Sequence, residues 1–250
     1  MKKFGFTLAE VLVTIGIIGV VAALATPSLL GLMPDKNKVQ VLKVYNNVSK
    51  ITKEMVNNPT LYNDEDYNGK SNSQCDPNNS NTNCCVGLQC TNIPNNAEEL
   101  VHEKYPNLNY YPSYFWGAAD KYINLLALNL DVAEGGQYGL FSSGKFTTTD
   151  GISWNIKWTY SNSGALITID TDSSDNSPNC SYSNSCKKPD QFKFFVDKYG
   201  NVKANDPLTK AYLDNPSKLN DRNNDLKKAK ENISLTWIQG DSPSPPIRPR

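Results

Sequence analysis

The sequence predicts an α+β protein: a long N-terminal helix, membrane-spanning in its first half and amphipathic in its second, packed against a C-terminal antiparallel sheet. Three observations carry that prediction. No charged residue occurs from Val11 to Met33. A stripe of apolar residues at helical spacing follows, from Val41 to Val56. Alternating segments bounded by Asp150-Gly151 and Gly200-Asn201 occupy the second half.

Composition sets the outer limits. The chain has 250 residues, with 25 Lys+Arg against 25 Asp+Glu, so no global charge draws it to nucleic acid or to an anionic membrane surface. A mean hydropathy of −0.52 excludes a multi-span membrane protein but not a single span. One His weighs against a multi-His metal site, and six Cys suit a disulfide framework outside the cytosol.

The opening run is long enough to cross a bilayer. At about 1.5 Å per residue, Val11–Met33 covers roughly 35 Å, against a hydrocarbon core of about 30 Å. Lys2 and Lys3 precede it, which keeps Met1 in the cytoplasm and sends the rest of the chain outward. A buried core helix would not open with so long an uncharged run. A secretory signal peptide would have an apolar region of about 7–15 residues; Ala22-Ala23-Leu24-Ala25 offers a cleavage site, but the run is longer and Glu10 interrupts it. A retained anchor is the favoured reading. Within it, Glu10 either sits at the headgroup level or is paired, because an isolated carboxylate in an apolar helix costs several kcal/mol.

Lys2-Lys3-Phe4-Gly5, then Phe6-Thr7-Leu8-Ala9-Glu10-Val11-Leu12-Val13 and a long apolar run, resembles the type IV prepilin signal. That family includes type IV pilins, type II secretion pseudopilins and competence pilins. The likeness covers roughly residues 1–35. It implies a pilin-like fold, cleavage after Gly5 by a prepilin peptidase, N-methylation of Phe6, and pairing of Glu10 with the N-terminus of a neighbouring subunit. It further implies an inner-membrane assembly platform and a motor ATPase as partners. Cleavage would remove Lys2 and Lys3 and leave the mature chain with an acidic excess. Pro27 stands inside the apolar segment, where it removes a helix hydrogen bond and is expected to bend or loosen the helix. In resembling pilins a proline at the matching place marks where the first helix melts in the filament. Gly16 and Gly19 either soften the helix or permit close helix packing.

Val41, Leu42, Tyr45, Val48, Ile51, Thr52, Met55 and Val56 recur at three- and four-residue spacing, with Lys43, Lys50, Lys53 and Glu54 off the stripe. This predicts an amphipathic continuation of the same helix, ending near Asn57-Asn58-Pro59. The expected organisation is a leader at 1–5, a filament-core helix at 6–33, its amphipathic extension at 34–58, an outer domain at 59–240 and a disordered Pro/Ser-rich tail at 241–250.

Pro59 to about Asn96 is rich in Asn, Ser, Asp and Gly and reads as a long loop. It holds Cys75, Cys84, Cys85 and Cys90, with no C-x-x-C pair to suggest zinc, so disulfides that pin the loop are expected. Adjacent Cys84 and Cys85 need different partners, which leaves Cys75 joined to one or the other. Cys180 and Cys186 are expected to close a small local ring.

Ala97–Tyr105 and Phe115–Leu130 have helical character, and His102 reads as a surface residue because no nucleophile motif lies near it. Gly135–Gly139 is a turn without a phosphate-loop pattern. Strands are expected at Gly144–Thr149, Ile152–Trp158, Ala165–Asp170 and Gln191–Asp197, with Phe192, Phe194 and Val196 on one face. The order of turns and strands is loosely similar to some pseudopilin domains. Region 203–235 reads as mostly irregular, with one short helix at Asn224–Asn232. Asp170, Asp172, Asp175 and Asp190 lie on or beside one loop. No complete calcium-loop spacing is present, so a solvated turn is the first reading and calcium, which some resembling pseudopilins bind, the second.

These features favour a structural filament subunit needing no cofactor. A minor or tip subunit acting as an anchored binding module for adhesion or DNA uptake is the alternative. Tyr110, Tyr111, Tyr114, Phe115 and Trp116 lack interleaved basic residues, so no clear nucleic-acid site emerges. An anchored enzyme ranks last, since no nucleophile–base pair or phosphate loop is recognisable.

Overall fold

The architecture comes from a computed structural model that describes residues 7–30, 34–58, 61–62, 87–89, 118–133, 144–159, 164–172, 178–186 and 188–238, with backbone alone for 25–30, 89 and 118–120. The element order is α1 (Leu8–Leu30), α2 (Lys36–Val56), a 3-10 turn (Gly87–Gln89), α3 (Ala118–Leu128), then β1 (Lys145–Thr147), β2 (Ser153–Thr159), β3 (Gly164–Asp170), β4 (Gln191–Asp197) and β5 (Val202–Ala204). Two further helices, α4 (Pro207–Asp214) and α5 (Arg222–Asn232), close the described chain. This is the α+β arrangement expected.

The five strands form one antiparallel meander in the order β1-β2-β3-β4-β5. Its turns have the expected chemistry. Gly151 and Gly200 both adopt positive φ, 82° and 80°. A Cβ on Gly200 would press on the methyl groups of Val56 and Thr52 at 3.2 and 3.3 Å, so the β4–β5 turn also sits tightly against α2.

The amphipathic stripe folds as its periodicity requires. Val41, Val44, Val48, Thr52 and Met55 are buried, while Lys43, Lys50, Lys53 and Glu54 are exposed. The buried face meets the sheet through Tyr45, whose ring stacks on Phe194 at 6.4 Å between centroids. Phe192, Phe194 and Val196 face this core with Ala165, Ile167 and Ile169 of β3. Buried Leu166 and Phe195 lie outside that cluster, on the other face of the sheet. Helix α3 adds Tyr122, Leu125 and Leu126, all almost wholly enclosed.

Three expectations need correction. First, the apolar and amphipathic halves are separate elements. The chain is non-helical at Pro34 and Asp35, and Asp35 is the N-cap of α2, accepting the Asn37 N–H at 3.1 Å. A capping aspartate behind a proline starts a helix more readily than it sits inside one. Second, 203–235 is largely ordered. It holds β5, α4 and α5, and α4 is missed because its eight residues are too few for a clear period. Its signal is local instead: Asp206 caps the N-terminus and Pro207 occupies the first turn. Third, the loop expected from Pro59 to Asn96 contributes to the core, since Tyr62 and Leu88 are buried. The expected features at 75–86, 90–117 and 134–143, including Cys75, Cys84, Cys85, Cys90 and His102, lie outside the described residues, as does the tail.

A charged junction fixes α2 to the C-terminal helices. Lys38 is fully buried and its Nζ reaches Asp225 Oδ2 at 2.7 Å and the Lys218 carbonyl at 2.9 Å. Asp35 Oδ2 accepts from Tyr212 Oη at 2.9 Å and Arg222 Nη1 at 3.2 Å, and the Asp35 N–H donates to the Leu219 carbonyl. The segment that leaves α1 is therefore held by partners almost two hundred residues away.

Candidate functional site

Helix α1 is apolar around its whole circumference. Every side chain from Thr7 to Leu24 is exposed, including Leu8 at 79%, Ile18 at 67% and Leu24 at 74%. A core helix hides one stripe; one that shows leucine, isoleucine and valine on all sides requires an apolar environment or neighbouring helices. Among the described residues, no helix is long and apolar enough to cross a membrane. Side chains are described only as far as Leu24, and Leu8–Leu24 spans roughly 25 Å at about 1.5 Å per residue. Pro27 lies within α1.

Glu10 has an intramolecular partner that the sequence reading overlooked. Thr7 donates to Glu10 Oε2 through its backbone N–H at 2.8 Å and its hydroxyl at 2.9 Å, and the Glu10 N–H reaches Thr7 Oγ1 at 3.3 Å. Thr7 is the residue before the first helical position and Glu10 stands three residues on, which is the reciprocal capping box. The signal was present as Thr7-x-x-Glu10 ahead of an apolar run. The box satisfies helix N–H groups that would otherwise be orphaned and holds the carboxylate at the helix start. Gly5 and Phe6 lie outside the described residues.

The acidic residues of the outer domain partly converge. Carboxylate oxygens of Asp170, Asp172 and Asp190 all lie within 4.8 Å of one another, while Asp175 is outside the described residues. Strand register brings them together, because Asp170 ends β3 opposite Gln191 of β4. Asp190 accepts the Asn179 and Cys180 N–H groups, each at 2.8 Å. Burial first, and then the neighbouring Asp172 and Asp190 carboxylates, push the Asp170 carboxyl up to about 6 against hydrogen bonds from the Asp172 N–H and the Gln191 amide. The donor chemistry suits a hard cation such as calcium. The three carboxylates fall short of the six to eight oxygens that ion takes, and Asp190 is already engaged in bracing the adjoining loop.

That loop is closed by a disulfide between Cys180 and Cys186, with Cα atoms 6.2 Å apart, as the sequence spacing predicts. The Cys186 N–H donates to Ser183 Oγ, and the Asp190 and Gln191 N–H groups both reach the Cys180 carbonyl.

No curated protein and no solved structure matches the chain. One family model does, the prokaryotic N-terminal methylation motif, over residues 1–26. That motif marks structural subunits that are processed by a prepilin peptidase and assemble with other pilin subunits, passing from a membrane-anchored precursor to a surface filament. The match, the exposed apolar helix and the capped Glu10 agree: the chain carries the N-terminal signal of a type IV pilin-like or pseudopilin precursor.

Proposed function

We propose that the chain is a subunit of a type IV pilus-like or type II secretion pseudopilus filament. It is cleaved after Gly5, methylated at Phe6 and held as a single-pass inner-membrane protein until its N-terminal helix packs into the filament core. An inner-membrane platform and a motor ATPase drive assembly, and the outer domain is displayed. The observation that carries this reading is the match of the methylation motif to a helix whose apolar side chains are exposed all round.

Glu10 pairs with the Phe6 ammonium of a neighbour. Oε2 already accepts both Thr7 donors, so the incoming ammonium meets Oε1 or displaces the Thr7 hydroxyl. Mass spectrometry of the mature protein tests processing: a methylated Phe6 N-terminus is expected, and an intact Met1 or cleavage near Ala25 would overturn the reading. Glu10→Ala is expected to abolish incorporation into filaments while leaving membrane insertion intact; unchanged incorporation would refute the pairing.

No cofactor is required for this role, and calcium at Asp170, Asp172 and Asp190 is the ligand to test. Calorimetric titration of the full chain decides it, since absence of calcium-dependent heat removes the proposal. A minor or tip subunit that displays a binding surface is the second reading, favoured by a groove in the outer domain.

A further inference from the structure

The chain enters the outer domain at Pro34 and Asp35, directly after the apolar segment, and the polar links of α2 to the rest of the fold are gathered at that entry. The Asp35 N–H donates to the Leu219 carbonyl at 2.8 Å. Asp35 Oδ2 accepts from Tyr212 Oη and Arg222 Nη1. Asn37 donates through its side-chain amide to the Pro189 carbonyl and accepts from the Thr171 hydroxyl, both at 3.2 Å. Lys38 Nζ donates to Asp225 Oδ2 and to the Lys218 carbonyl. Farther along α2, polar links to other segments among the described residues reduce to Lys43–Asp150 and Thr52–Tyr122.

The partners at the entry belong mostly to one pair of helices. Tyr212 is in α4, Arg222 and Asp225 are in α5, and the Lys218 and Leu219 carbonyls lie between the two. That hairpin is itself fastened to the sheet. The Tyr212 ring stacks on Phe192 of β4 at 5.7 Å between centroids, Leu208 and Ala211 are buried in the core, and Asp206 accepts the Lys193 N–H of β4. A continuous path of contacts therefore runs from Asp35 through the hairpin to an interior strand of the sheet.

The two kinds of contact respond differently to a pull on Asp35. The apolar stripe from Val41 to Met55 is held by non-directional burial, and a helix drawn off from one end gives up such contacts turn by turn. Hydrogen bonds and an ion pair gathered within one helical turn are loaded together and break together. The stripe alone would peel; the linked first turn resists.

We propose that the α4–α5 hairpin is a mechanical clamp. It takes up tension that arrives along α1 and keeps α2 from peeling off the sheet. The proposal rests on the reading of α1 as the helix embedded in a membrane or filament, because only a held α1 pulls on Asp35. A failed clamp would leave that reading standing, since Phe6 processing and the effect of Glu10→Ala test it separately.

The test is constant-force extension of the processed, oxidised full chain in detergent, held in an optical trap. One pair of handles, on Leu30→Cys and Tyr199→Cys, pulls through the entry. A second pair, on Thr147→Cys and Tyr199→Cys, pulls across the sheet and bypasses it. Through the entry, the wild-type domain is expected to rupture in one step. Asp35→Ala should shorten its lifetime roughly tenfold or more and let α2 leave first. Release of the 21 residues of α2 adds about 40 Å, as the rise per residue grows from about 1.5 Å to about 3.4 Å. Arg222→Gln removes one half-exposed link and should shorten the lifetime about threefold; it carries the comparison if Asp35→Ala does not fold. Across the sheet, wild type and both variants should rupture with the same lifetime, because the clamp is still intact in that transition state. Unchanged lifetimes through the entry, or a wild-type α2 that already peels first, would overturn the assignment. So would equal shortening in both directions, because the junction would then add stability without directing load.

Discussion

Replacing Lys38 by Met removes the buried cation that joins α2 to α5 while keeping most of the side-chain volume. The wild-type ammonium is fully enclosed, 2.7 Å from Asp225 Oδ2, 2.9 Å from the Lys218 carbonyl and 5.4 Å from the centroid of the Tyr212 ring. The Asp225 side chain is equally enclosed, and its Oδ1 has no hydrogen-bond partner among the described residues. Burial raises the Asp225 carboxyl above its ordinary value, and Lys38 works against that rise. Without Lys38 the carboxylate would be buried and uncompensated, a loss of about 3–5 kcal/mol. The loss should be largest near neutral pH and shrink as acid protonates Asp225. A raised carboxyl destabilises the fold above its folded value and ceases to do so below its unfolded value of 3.8. The double variant Lys38→Met/Asp225→Leu should recover most of the deficit, since it replaces both partners by apolar groups. Denaturant unfolding of the oxidised full chain at pH 7 and pH 4.5 reads the four corners of the cycle. Hydrogen exchange should place the weakened region in α4 and α5. A single-variant cost below about 1 kcal/mol at pH 7, or a double variant as unstable as Lys38→Met, would refute the reasoning.

Other substitutions follow the same logic. Lys121 is enclosed in α3, 4.0 Å above the Tyr62 ring, and burial pushes its ammonium down to about 8. Its folded value lies below its unfolded one, so stability should increase as pH rises from about 8 towards 10.5, and Lys121→Met should stabilise the protein by about 1–3 kcal/mol at pH 7. A destabilised variant in thermal melting would contradict this. Asp170→Asn should raise stability at pH 7 by on the order of 1 kcal/mol and flatten the wild-type decline between pH 4 and 6, because the raised carboxyl destabilises the fold once ionised; a steeper decline would count against it. Asp206→Ala removes the α4 cap and the shorter of two acceptors of the Lys193 N–H of β4, leaving it Thr209 Oγ1 at 3.3 Å, for an expected cost of about 2–3 kcal/mol by denaturant unfolding. Tolerance within about 0.5 kcal/mol would show that water replaces the carboxylate there.

Much of the fold is legible in the sequence because it rests on local periodicity. The spacing from Val41 to Met55 defines which face of α2 is buried, and alternation with Gly-containing turns places β2, β3 and β4 close to their observed bounds. Val44 escaped notice in the stripe, although it occupies the same face. In the N-terminal segment, Glu10 stands out as a charge in an apolar run, whereas Thr7 matters only through a hydrogen bond that needs the helix start to be fixed. The break at Pro34–Asp35 was visible in residue type but not in consequence. Asp35 becomes a cap and a junction only when Tyr212 and Arg222 arrive beside it.

The sequence by itself determined the processing signal, the apolar and amphipathic segments, the Gly-containing β1–β2 and β4–β5 turns, and the Cys180–Cys186 ring. Each depends on residues within a few positions of one another. Tertiary structure alone decided that Lys38 is buried against Asp225, that Asp170 and Asp190 converge while Asp206 is consumed as a cap, and that Trp237 closes a groove against the disulfide ring. Lysine and aspartate are solvated by default. Only a partner delivered by a distant segment, at a distance that offsets desolvation, makes their burial tolerable.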